Sequence, residues 1–99
     1  LDRQQTVPVR SRLPVLKLRT DPEYPSAAKR AGVEGVVVLE VVLDPSGVVQ
    51  QVTVVQGIGY GCDEAAVEAL RQSVFSPAYV GEEAVALKFQ VPFRFKFDG

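Results

Sequence analysis

From position 84 to 97 the chain alternates with a period of two. Val85, Leu87, Phe89, Val91, Phe93, Phe95 and Phe97 are interleaved with Ala84, Ala86, Lys88, Gln90, Pro92, Arg94 and Lys96. Successive side chains of a strand point to opposite faces, so this pattern predicts one long strand with an apolar face buried and a basic face in water. Pro92 has no amide hydrogen to give to a ladder, which argues for an edge of the sheet rather than its centre. A central strand is supplied by the run Val36-Val37-Val38-Leu39-Glu40-Val41-Val42-Leu43, opened by Gly35 and carrying a single charge, because it is apolar on both faces. Asp44-Pro45-Ser46-Gly47 then reads as a hairpin turn, with φ pre-set at Pro45 and a left-handed conformation available at Gly47. Val48 to Gln56 is the return strand.

Two segments have helical character. In Pro25-Ser26-Ala27-Ala28-Lys29-Arg30-Ala31-Gly32, proline stands at the first helical position and glycine where a helix should stop, predicting two turns. A longer helix is predicted from Cys62 to about Val74. Its first turn carries Asp63 and Glu64, where the helix dipole favours carboxylates, and Cys62, Ala66, Leu70 and Val74 recur every four residues with Val67 and Ala69 beside them. Ser76-Pro77 ends it, and Gly81-Glu82-Glu83 turns the chain into the final strand. Nineteen valines among 99 residues agree with a sheet-rich fold, since β-branched side chains suit a pleated surface.

The same composition excludes much chemistry. Without histidine there is no Ser-His-Asp or Cys-His catalysis and no His-ligated zinc, and one cysteine allows neither an intrachain disulfide nor a cysteine-cluster metal site. The carboxylate pairs Asp63/Glu64 and Glu82/Glu83 do not converge as an acid/base dyad would. No catalytic residue, metal or cofactor is therefore expected. A net charge of −1 argues against nucleic acid as the main partner. Gly57, Gly59 and Gly61 precede a helix, but without the lysine or spacing of a phosphate loop they read as a plain strand-to-helix connection. Cys62, on the apolar stripe, reads as an inert buried thiol.

Charge divides the chain unevenly. Residues 1 to 20 carry Arg3, Arg10, Arg12, Lys17 and Arg19 against Asp2, a balance of +4, whereas residues 21 to 99 balance at −5. The first segment, interrupted by Pro8 and Pro14, is read as a basic linker or arm, with Val15 to Leu18 available as a short extra strand, and 21–99 as the folded domain. A chain that opens at Leu1 and lacks methionine is expected to be a piece of a longer product. No apolar run reaches the roughly 18 to 20 residues of a membrane span, so any anchor is expected to lie outside it.

What remains as a working surface is the edge of the last strand, with its row of backbone donors and acceptors. Lys88, Arg94 and Lys96 are standard protection against unwanted pairing, so on these residues alone the edge is either guarded or used to add a partner's strand.

In order and spacing, Pro22-x-Tyr24-Pro25, a short helix, Gly32-x-x-Gly35-x-Val37-x-Leu39-x-Val41, Asp44-x-x-Gly47-x-Val49, Asp63-x-Ala65-Ala66, Phe75-x-Pro77-Ala78 and a closing strand with Pro92 and Phe95 resemble the C-terminal domain of TonB, over about residues 21 to 97. The resemblance implies a non-enzymatic periplasmic domain of a protein anchored in the inner membrane and driven by proton flow through ExbB and ExbD. It also implies that the last strand pairs with the TonB box, a short N-terminal segment of an outer-membrane transporter. Carried onto this chain, the partner-binding residues would be Val85, Leu87, Lys88, Phe89, Gln90, Val91 and Arg94, with Tyr24 and Pro25 near the same partner. An alternative is a TonB-like domain of another trans-envelope machine, such as a gliding or secretion motor.

Both readings give an α+β fold: two helices on one face of a three-stranded antiparallel sheet ordered second, first, last, consistent with the crossover rule. Five positions depart from the family in three ways. Cys62 stands where leucine is frequent, Asp21 stands where glutamine is frequent, and Val36, Val38 and Val42 occupy the face away from the helices, where polar residues are commoner. That valine stripe is a candidate second surface, to be covered by the N-terminal segment, a second copy of the domain or a partner. A homodimer through an exposed edge is a further expectation.

Overall fold

The computed structural model describes residues 11–18 and 20–96. Arg3, Arg10 and Arg19 of the basic segment and Phe97 of the last strand lie outside the described residues. In chain order the elements are β1 (Leu16–Leu18), α1 (Ser26–Ala31), β2 (Gly35–Leu43), β3 (Val49–Gln56), α2 (Cys62–Gln72), β4 (Val74–Phe75), β5 (Ala78–Val80), β6 (Glu83–Val85) and β7 (Leu87–Phe95).

The main sheet is antiparallel with the order β3-β2-β7, so the doubly apolar run is its middle strand. One face of β2, formed by Val37, Leu39, Val41 and Leu43, is fully buried. Against it pack Cys62, Ala66 and Leu70 of α2, Ala28 of α1, Phe75 and Phe95. Complete burial of each such aliphatic side chain contributes about 2 kcal/mol, which makes this single layer the main source of stability. α2 is the main helix; the six-residue α1 gives the core only Ala28.

The other face of β2 is built differently. Val36, Val38 and Val42 are half-buried there, lying between Arg94, Pro92 and Lys88 of β7 and, for Val38 and Val42, Gln56 and Gln51 of β3. Long polar side chains bury their stems along apolar neighbours while their heads stay in water. The stripe expected to need a separate cover is thus flanked by its own sheet.

Turn chemistry follows the sequence. Gly47 adopts φ +85°, and Asp44 Oδ1 accepts hydrogen bonds from the amides of Ser46 and Val48 at 2.8 and 3.0 Å, while Gln50 Nε2 donates to Oδ2 at 2.9 Å. The Val48 amide, then those of Ser46 and Gly47 with Gln50, hold the Asp44 carboxyl below its ordinary value of 3.8 against a smaller opposing effect of burial. A depressed folded-state pKa gives stability that is present above the unfolded value and lost as pH falls through the folded one. Asp44→Asn is therefore expected to flatten the part of the acid-unfolding curve that begins near pH 4 and extends below it, measured by thermal melts between pH 2 and 6. An unchanged curve would remove Asp44 from the account.

Several expectations are corrected. Pro25 is the residue before α1 rather than its first residue: its backbone is extended at ψ 142°, and its carbonyl accepts the Lys29 amide at 3.0 Å. α2 stops at Gln72, two residues early, because Ser73 turns extended and folds its hydroxyl back onto the Ala69 carbonyl at 2.9 Å. Val74 leaves the helical stripe and is exposed in β4. The long final strand is two: β6 pairs with β5, and β7 begins at Leu87. The physical reason is the register. Leu87 lies opposite Leu43, the last residue of β2, so Val85 has no β2 partner and pairs with Ala78 instead.

The largest correction concerns the described part of the arm. Residues 12 to 18 are not a free tether but run antiparallel to residues 74 to 79. Arg12 and Tyr79 exchange both backbone bonds at 2.9 Å, the Ser76 amide donates to the Val15 carbonyl at 2.8 Å, and Leu16 and Leu18 pair with Phe75 and Val74. The Arg12 guanidinium also sits 4.3 Å from the centre of the Tyr79 ring. The short strand expected within Val15 to Leu18 is β1.

Candidate functional site

β7 pairs with β2 alone in its sheet, so among the described residues its outer edge carries no strand. The register with β2 runs without a shift from Gly35↔Phe95 to Leu43↔Leu87 and passes through Val38↔Pro92. A proline fits such a register when its nitrogen faces away from the ladder. By the period of two, Lys88, Gln90 and Arg94 then also direct their backbone polar groups outward, and the odd positions serve β2. Lys88, Gln90 and Arg94 are exposed, whereas Leu87, Phe89, Val91 and Phe93 are half-buried on the helix side.

Two clefts run beside this edge. The first, about 230 Å³, lies between Asp21, Pro22 and Tyr24 on one side and Phe93, Arg94 and Phe95 on the other. The second, about 150 Å³, has Leu16 and Thr20 of the arm facing Val91 and Phe93, with Leu70 and Phe75 also lining it. The structure thus brings Tyr24 to the part of β7 that contains Arg94. Pro25 is turned elsewhere, toward Gly61, where an added Cβ would meet its ring at 3.3 Å. Val85, on β6, is paired with Ala78 and does not belong to the open edge.

Tyr24 is held firmly. Its hydroxyl donates to the Val33 carbonyl, its ring meets Phe95 edge-on at 5.5 Å, and Lys29 Nζ lies 5.8 Å from its centre. Desolvation, with smaller effects from Glu34 and Cys62, raises the phenol above its ordinary pKa of 10.0, so it remains a neutral donor. Tyr24→Phe is expected to lower the denaturation midpoint slightly through the lost bond while keeping the ring contact. A chemical-denaturation curve indistinguishable from that of the unsubstituted chain would show that the hydroxyl is not structural.

The residues that the sequence offers for other ligands are occupied by the chain itself. Asp63 Oδ1 accepts the amides of Ile58 and Gly59 at 2.8 and 3.3 Å, and a Cβ at Gly57 would fall 2.3 Å from Asp63 Oδ2. The glycine segment therefore wraps a carboxylate of its own α2. Cys62 is completely buried, and desolvation followed by Asp63 and Glu64 raises its thiol pKa above 9.0, the behaviour of an inert core residue.

Residues 20–97 match the protein-family model described as Gram-negative bacterial TonB protein C-terminal. The chain belongs to that family. Protein TonB of Vibrio cholerae is 34% identical over 87 residues, covering 86% of this chain and 35% of the relative. Protein tonB2 of Pseudomonas aeruginosa is 38% identical over 78 residues, covering 78% and 29%. This chain therefore spans about a third of the length of the curated relatives it matches. A solution NMR structure of the Pseudomonas aeruginosa TonB CTD superposes with a TM-score of 0.71 at 23% identity, covering 87% of this chain and 88% of that one, and so shares the fold. The named relatives are TonB proteins, and they lend no support to the motor alternative.

Of the residues that line the clefts beside β7, the sequence analysis singled out those of the strand and Asp21, Pro22 and Tyr24 of the turn, but not Leu16 and Thr20. The available signal was the apolar run of Val15, Leu16 and Leu18 between Arg12 and Arg19, which marks a strand but not where it docks.

Proposed function

We propose that this domain is the non-enzymatic periplasmic end of a TonB-type energy transducer, coupling the inner-membrane proton motive force to an outer-membrane transporter by adding the transporter's TonB box as a strand to β7. The observation that supports this best is the outer edge of β7, a nine-residue strand that among the described residues pairs only with β2 and is bordered by clefts. Main-chain bonds to such an edge give affinity, and the flanking clefts give alternate side chains somewhere to go. In a strand pair loaded along its length, several hydrogen bonds share the force, so a modest interface suffices to transmit a pull.

Leu87, Lys88, Phe89, Gln90, Val91 and Arg94 form the pairing surface in this reading, with Tyr24 holding Phe95 at its end. In this reading the membrane anchor and the contacts with ExbB and ExbD are supplied outside this domain. Titrating the isotopically labelled domain with TonB-box peptides from candidate transporters should move the amides of Lys88, Gln90 and Arg94. Silence along β7, with shifts confined to Val36, Val38 and Val42, would move the site to the other face of the sheet. Self-pairing of the same edge would appear as a concentration-dependent dimer in sedimentation.

A further inference from the structure

The ribbon formed by the arm and residues 74–79 turns apolar side chains outward. Leu13 and Val15 are 77% and 63% exposed, and the bonds at Arg12 and Val15 hold the segment in place without burying them. The register of β1 shifts between Leu16 and Leu18. Leu16 pairs with the buried Phe75, but the extra residue, Lys17, sends Leu18 to the opposite face beside Val74, and both are exposed there. A bulge re-aims a side chain, here toward water. Five of the ten exposed large hydrophobic side chains among the described residues lie on this ribbon, so the apolar surface is gathered in one place instead of scattered. Its charged residues are Arg12 and Lys17, both exposed, and residues 11–18 and 74–79 contain no carboxylate. Acidic groups border it at the two ends: Glu82 and Glu83 stand beyond β5, across from Arg12, and Asp21, Glu23 and Glu68 line a separate cleft with Thr20.

We propose that this ribbon is a docking face for an anionic lipid bilayer, with Leu13, Val15 and Leu18 entering the headgroup layer and Arg12 and Lys17 meeting lipid phosphates. Apolar side chains interleaved with cations match the boundary between headgroups and acyl chains, and a fluid surface needs no complementary shape. Two other occupants fit less well. A partner strand would find no amide at Pro14, in the middle of the edge, and a second copy of the ribbon would set Arg12 and Lys17 against like charges. Strand addition at β7 is not required for this role.

The test sediments the 99-residue chain with vesicles of phosphatidylglycerol and phosphatidylcholine in equal parts, and with vesicles of phosphatidylcholine alone. The anionic vesicles should bind at least about tenfold more tightly at low salt, the gap narrowing as salt screens it. The double substitution Leu13→Ser/Val15→Ser should weaken that binding about tenfold at low and high salt alike. Lys17→Gln should weaken it several-fold on the anionic vesicles only. All three side chains are exposed, and the amide spectrum of β2 checks that the fold is unchanged. With a spin-labelled lipid, the methyl signals of Leu13, Val15 and Leu18 should broaden while those of Val54 and Val55, exposed on β3, stay sharp. Equal binding to the two vesicles, binding that the double substitution leaves unchanged, or no binding to either overturns the proposal. So do shifts of the arm methyls that grow with protein concentration in the absence of lipid, which would assign the face to a second copy of the chain.

Discussion

Gln90→Pro is expected to weaken capture of a partner strand by about 100-fold while leaving the domain folded. Positions 90 and 92 are two apart on β7, so their nitrogens face the same way. Pro92 already stands in an unshifted register opposite Val38, which means that the ladder to β2 tolerates a proline of this phase. A second proline at 90, opposite Glu40, should cost the fold less than about 1 kcal/mol. The partner meets the opposite situation. It loses an amide donor in the middle of the edge and gains a ring where its own backbone should approach, together about 3 kcal/mol, or roughly two decades in Kd. Gln90→Ala keeps the amide and should bind almost unchanged. Calorimetric titration of both variants decides the matter: if the folded proline variant binds as the alanine variant does, pairing through β7 is the wrong mechanism.

That experiment depends on a feature readable before any coordinates, since the alternation from Leu87 to Phe95 and the phase of Pro92 are local. The same holds for β2, whose two apolar faces need neighbours on both sides, and for the turn at Asp44 to Gly47. What escaped the sequence was decided by partners far away along the chain. Ala86 interrupts the last strand not through its own character but because β2 ends at Leu43. Val74 fits the stripe of α2, yet it is drawn into β4 by pairing with Leu18. The arm was hardest to foresee. Its attachment rests on bonds such as those from the Ser76 amide to the Val15 carbonyl and from the Val15 amide back to Ser76 Oγ, 61 residues apart, while Leu13, Val15 and Leu18 remain more than half exposed. Composition reports side-chain burial, and there is little to report. The clefts beside β7 shared that fate because one wall of each comes from this segment or the turn that follows it, whereas the cation row on β7 itself was visible from the alternation alone.

Gly47→Ala is expected to lower unfolding free energy by roughly 4 kcal/mol and the melting temperature by about 15 °C or more. Two penalties combine. At φ +85° an alanine sits in a region L residues occupy at a cost of about 1–2 kcal/mol. Its Cβ would also lie 2.7 Å from the Phe75 carbonyl oxygen and 3.0 Å from the Ser76 carbonyl carbon. These are backbone atoms. They cannot rotate aside, since Phe75 is buried with its ring 5.8 Å from that of Phe89 and the Ser76 amide is bonded to the arm. Relieving such overlap costs a further 1–3 kcal/mol. Gly81→Ala separates the two effects: its φ is +64° with nothing within 4 Å of an added Cβ, so it should cost only about 1–2 kcal/mol. If the two variants melt alike, the close approach to Phe75 contributes nothing. If Gly47→Ala is the more damaging, the β2–β3 turn is a buttress for the segment that carries Phe75, one wall of the cleft beside β7. Binding of a TonB-box peptide should then fall in that variant even at temperatures where it remains folded.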